Sequence, residues 1–251
     1  MEPMVMALLF AAGVVGGVVN AIAGGATLIT FPAMLAASLP PVVANASNAV
    51  AISPGHLLAA VADREKLPAA NRRLALSLAA ATLGGIAGAL LLLALPEAAF
   101  LQPVPLLIAL ATALFASRIQ AWAARRREGA APNALAGTAA LTAVSVYGGF
   151  FGAGLGVMLS ALLAIEDPDD IRRVKVMKNL LATAVSLAAI AIFIARGTVH
   201  WQATLAMLAG ALPGGWAGGQ LVRVLPAQAV RRVVIAAGLF MSAYYAARIW
   251  F

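Results

Sequence analysis

Side chains able to do covalent chemistry are few in this sequence and badly placed for it. All nine acidic residues, Glu2, Asp63, Glu65, Glu97, Glu128, Glu166, Asp167, Asp169 and Asp170, fall between long apolar runs or at their ends. None can serve the mid-membrane cation site or proton relay that a buried carboxylate would offer. His56 and His200 are the only histidines and there is no cysteine, which removes disulfides, thiolate metal sites, Fe–S clusters and a cysteine nucleophile. No metal cluster, Ser-His-Asp set or pair of hydrolytic carboxylates can be assembled, so neither metal nor cofactor is expected and enzymatic activity is disfavoured.

What remains is a set of neutral donors beside two glycine-rich stretches. Asn20, Thr27, Asn45, Ser47 and Asn48 surround Gly24-Gly25, and Lys178 and Asn179 follow Gly152-Ala153-Gly154-Leu155-Gly156. A helix beginning inside a bilayer directs free N–H groups and the positive end of its dipole at whatever lies before it. Two such ends turned toward each other suit a small oxyanion. The candidate substrate site is therefore Asn20, Gly24, Gly25, Thr27, Ser47, Asn48, Gly154, Gly156 and Asn179, with His56 and Lys178 as candidates for coupling. Each has a plainer reading. The glycines permit close helix packing, the asparagines bridge helices, His56 sits neutral in the packing, and Lys178, after Arg172, Arg173 and Lys175, reaches for the cytoplasmic surface. His200-Trp201 reads as an interfacial anchor.

The elements that must position these residues follow from composition. In 251 residues, 63% are apolar and 10% charged, and the mean hydropathy is +0.96, far from a soluble domain. Apolar runs lie near residues 4–23, 25–38, 44–62, 74–95, 99–117, 134–153, 154–166, 174–195, 200–222 and 230–250. They lack the alternation of a membrane β-barrel, so the fold class is all-α and polytopic, with the lipid bilayer as solvent. The runs 25–38 and 154–166 reach only about 20 Å, short of the roughly 30 Å hydrocarbon core, and both follow glycine. Met1-Glu2-Pro3 lacks the basic opening of a secretory signal, and the first run is read as a true span.

The sequence echoes itself 130 residues on. Gly24 pairs with Gly154, Gly84-Gly85-Ile86-Ala87-Gly88 with Gly214-Gly215-Trp216-Ala217-Gly218, and Leu95-Pro96 with Leu225-Pro226. This divides the chain into a first transmembrane repeat (1–124), a basic cytoplasmic linker (125–133) and a second repeat (134–251), with about five segments in each half. If all ten segments cross, every Lys and Arg among the 17 except Arg196 and Arg248 falls on one side. That side is cytoplasmic, both termini lie outside, and an odd number of crossings per half makes the repeats inverted, with their short broken helices at the interface. The formal charge of +8 is thus a topology signal, and no nucleic-acid partner is implied.

Asn20-Ala-Ile-Ala-Gly-Gly-Ala-Thr-Leu-Ile-Thr-Phe-Pro32, Leu39-Pro40-Pro41 and Ala44-Asn-Ala-Ser-Asn48 resemble the first-half signature of the sulfite exporter TauE/SafE family of membrane transporters. Tyr147-Gly-Gly-Phe-Phe-Gly-Ala-Gly-Leu-Gly156, Lys178-Asn179 and Gly197-Thr-Val-His-Trp201 resemble its second-half motifs. The resemblance spans nearly the whole chain and implies a bacterial inner-membrane protein that moves sulfite, organosulfonates or related sulfur-containing anions, most often outward. The chain departs from the family pattern at Ala26, where a third glycine is frequent, and at Ser47, where threonine is. It departs again at Gly148, where an acidic residue is common, so no carboxylate role carries over there. Two other classes compete with the transporter reading: a non-catalytic membrane subunit docking on an energy-coupling partner, and a membrane-embedded enzyme, for which only His56 is available within a span.

Overall fold

A computed structural model of the chain describes residues 1–22, 25–62, 65, 67–117, 134–166, 171–221 and 226–251. The described residues contain helices and no strands: α1 (Pro3–Ile22), α2 (Thr27–Ala36), α3 (Pro41–Ile52), α4 (Pro54–Ala62), α5 (Arg72–Ala94), α6 (Glu97–Leu101), α7 (Val104–Ala116), α8 (Ala134–Phe150), α9 (Leu155–Glu166), α10 (Ile171–Ala195), α11 (Trp201–Leu221) and α12 (Ala227–Trp250). Pro54 divides α3 from α4, and a turn at 102–103 divides α6 from α7. Taking each pair as one segment gives the ten expected from the apolar runs. Among the described residues, five stretches are long and apolar enough to cross a bilayer: Pro3–Ile22, Arg72–Ala94, Glu97–Ala116, Arg173–Ala195 and Gln228–Trp250. At 10 and 12 residues, α2 and α9 reach only about 15 and 18 Å and stop short of a full crossing. The basic linker at 125–133 lies outside the described residues, as do Gly24, Arg64 and Lys66.

Element boundaries recur at the spacing seen in the sequence. Helix α2 ends at Ala36 and α9 at Glu166; α3 begins at Pro41 and α10 at Ile171; α6 begins at Glu97 and α12 at Ala227. Packing crosses between the halves. The most extensive helix pairings are α1 with α11 and α5 with α8, the first segment of each half lying along the fourth of the other. Glycines bring these backbones together. A methyl on Gly13 or Gly17 would overlap the carbonyl of Met207 or Ala211, and one on Gly88 or Gly149 that of Val146 or Gly85. Small residues of this kind let dispersion and backbone contact hold helices in a solvent that supplies no hydrophobic drive between them.

Local chemistry fixes the ends that matter. Pro41 opens α3 at a position needing no donor, and Glu97 accepts a hydrogen bond from Val42 N at 2.7 Å, setting a carboxylate at the positive end of that helix. Arg231 donates to the carbonyls of Phe115 and Ser117, at 3.0 and 2.7 Å, and closes the C-terminal end of α7. Outward-facing side chains such as Leu83, Trp216 and Phe240 are more than half exposed, forming the apolar exterior that lipid covers.

Candidate substrate site

Two backbone breaks organise the centre of the molecule. Gly25 stands at φ +94° two residues before α2, and Gly154 at φ +82° directly before α9. Both lie in the left-handed region that side chains with a Cβ avoid. The breaks share a support that nothing in the sequence announced. A Cβ on Gly25 would stand 3.0 Å from Phe115 Cε2, and one on Gly154 would stand 3.6 Å from Ala111 Cα and Leu114 Cδ1, so both turns rest on the C-terminal half of α7. The second break is also tied from within, since Tyr147 OH donates to Ala153 O at 2.8 Å. Phe31 of α2 meets Phe151 of the second break edge to face, with ring centroids 5.2 Å apart, joining one half to the other.

Between the breaks is a cavity of about 40 Å³, room for a few water-sized groups. The first half lines it with Thr27, Asn45, Asn48, Ala49, Ile52, Ser53 and His56. The second contributes Gly148, Gly149, Phe151, Gly152, Leu155, Ser186, Ala189 and Phe193. Thr27 is the first residue of α2 and Leu155 the first of α9, so the N-terminal ends of both short helices border one space. None of these lining residues is acidic, lysine or arginine.

Of the residues singled out from sequence, the structure brings Thr27, Asn48 and His56 together at this cavity. Gly25 and Gly154 shape the breaks without lining it. Ser47 is fully buried elsewhere and accepts a hydrogen bond from His200 N at 2.9 Å, which fastens α3 to the start of α11. Asn20 Nδ2 lies 3.1 Å from where a Cβ on Gly55 would stand, against the start of α4. Gly156 and Lys178 neighbour each other, the lysine Cδ lying 3.7 Å from a Cβ built on the glycine. Asn179 is buried on α10 outside the lining, and its carbonyl accepts from Thr183 Oγ1 at 2.8 Å. Gly24 is outside the described residues.

Sequence reasoning left Asn45, Ser53 and Ser186 out of the site. Helical spacing could have recovered the first, because Asn45, Asn48 and Ile52 are three and seven residues apart on one face, whereas Ser47 is turned about 100° from Asn48. Ser186 lies seven residues beyond Asn179 along α10. Gly148 also lines the cavity, and a Cβ there would stand 2.7 Å from Leu155 Cδ1.

A profile of the family described as sulfite exporter TauE/SafE matches residues 9–245. A probable membrane transporter protein of Haemophilus influenzae is 30% identical over 242 residues, 95% of this chain and 93% of its own. The probable membrane transporter protein YfcA of Escherichia coli is 25% identical over 244 residues, 96% of this chain and 90% of its own. No solved structure matches the chain. A helical, multi-pass architecture, an uncharged cavity between its halves and a family match over almost its whole length agree: the chain belongs to the sulfite exporter TauE/SafE family of membrane transporters.

Proposed function

We propose that this transporter carries small sulfur-containing anions, sulfite or organosulfonates, across the bacterial inner membrane as an exporter or facilitator, and that it is not an enzyme. The observation that carries this reading is the pair Thr27 and Leu155: the first residues of two short helices, from opposite halves, border one cavity free of carboxylates. Partial positive charge from two helix ends would act on a bound anion in a medium of low dielectric, where it counts for more than in water. Asn48 and Thr27 supply the polar side chains at that point, and the family match supplies the sulfur. The crossed pairing of α1 with α11 and α8 with α5, with the recurrent element boundaries, supports an inverted pair of repeats able to expose the cavity to either face in turn.

Purified protein in liposomes, offered sulfite, sulfate, thiosulfate and sulfonates under an imposed membrane potential, tests the proposal. Saturable flux of at least one sulfur anion is expected, and a flat response to all of them refutes it. Orientation is tested separately. Because the chain has no cysteine, single cysteines near Glu97 and Thr198 should react with an impermeant label in whole cells, while ones near Ala69 and Gln228 stay protected.

A further inference from the structure

The cavity is less purely a donor site than an anion pocket needs to be. Asn45 and Asn48, 3% and 2% exposed, both line it, and both carboxamide oxygens are buried with no hydrogen-bond partner. The Asn45 oxygen cannot be explained by an amide turned the wrong way round. Its Nδ2 donates to Phe150 O at 2.9 Å, and reversing the group would break that bond. Ser53 adds a second fixed acceptor, since its hydroxyl proton is given to Ala49 O at 2.6 Å and only lone pairs remain. A buried acceptor without a donor is costly, and nearly all such groups in folded proteins find one. Here the cavity that these residues line is the space from which a donor can come.

We propose that the site selects an anion that brings its own hydrogen-bond donor, either a weak-acid oxyanion in its monoprotonated form or a sulfonate bearing a hydroxyl group, over an anion that offers acceptors alone. This rests on the anion-transport reading above and narrows its substrate class. The helix ends take the negative charge, while Asn45 Oδ1 and Ser53 Oγ take the donor, and the amide of Asn48, which has no hydrogen-bond partner among the described residues, is free to turn its oxygen toward it. A fully deprotonated dianion would set lone pairs against lone pairs, the mismatch by which sites built for a hydroxyl reject analogues that lack one. With a weak-acid oxyanion the proton would then travel on the substrate, which removes the need for an intramembrane carboxylate.

The test compares 2-hydroxyethanesulfonate with propane-1-sulfonate, equal in heavy-atom count and both strong-acid anions, as competitors of sulfite flux in liposomes at one pH. The hydroxylated anion is expected to bind at least about tenfold more tightly. Asn48→Leu, which breaks no hydrogen bond within the described residues, should bring the ratio toward one. Equal competition in the wild type, as when water supplies the missing donors, overturns the inference and leaves anion transport standing. Absence of flux or competition by sulfite and by both sulfonates overturns the anion reading and this inference together.

Discussion

The two breaks look alike in sequence and are built differently. At Gly25 both backbone and space favour glycine: φ is +94°, and the ring of Phe115 crowds the position where a Cβ would go, 3.0 Å from it. At Gly154 only the backbone demands it: φ is +82°, while the nearest neighbours of a Cβ sit at ordinary contact distance. The second break has instead the internal tie of Tyr147 to Ala153 O. The first is held by pressure from α7, and the second by a hydrogen bond within its own loop. Two glycine turns that each precede a short helix can thus be held by different means, and they should fail differently.

The largest effect is expected at Gly25→Ala, which combines left-handed strain with a tight 3.0 Å contact on the ring of Phe115 and should cost more than about 2 kcal/mol. Liposome flux should be lost and thermal unfolding in detergent should move down. Adding Phe115→Leu should recover part of the stability, and if it recovers none, α7 is not the support of the first break. Gly154→Ala meets only the backbone term, about 1–2 kcal/mol, so reduced flux at near-normal expression is expected. Phe115→Leu should give it no relief; relief would erase the distinction between the breaks. Tyr147→Phe removes one hydrogen bond, worth about 1 kcal/mol, and should lower stability slightly while adding to Gly25→Ala without coupling. The smallest effect is expected for His56→Gln. Flux of a strong-acid sulfonate should persist and follow membrane potential more than pH. Loss of pH-gradient-driven uptake with exchange intact would make His56 the coupling group.

The sequence made the segments legible because spanning length and glycine and proline punctuation are compositional facts. The breaks before Thr27 and Leu155 and the recurrence of boundaries followed from such marks, whereas α3 begins at Pro41, ahead of the apolar run read at 44–62. Facing directions did not. Ser47 and Asn48 are adjacent and equally polar, yet one anchors His200 and the other borders the cavity, because a helix turns neighbours apart. The role of α7 was invisible for another reason. Ala111, Leu114 and Phe115 are apolar residues in an apolar run, and nothing distinguishes a side chain facing a glycine turn from one facing lipid. Glu97 read only as a carboxylate at a segment end, whereas it caps a helix 55 positions away in the chain.

The crossed pairing has a consequence for how the protein is made. Helix α1 is made well before its partner, because the backbone against which Gly13 and Gly17 close, at Met207 and Ala211, belongs to α11, far later in the chain. Until then the first helix presents its glycine face to lipid or to a temporary companion. The α5–α8 pair closes earlier, once the second half has begun. Cutting the chain between 118 and 133 would therefore yield fragments that each hold one member of both glycine-packed pairs and neither pair whole. Expressed together, such fragments should assemble; expressed singly, each should be recognised as an orphan by membrane quality control, however native its individual helices.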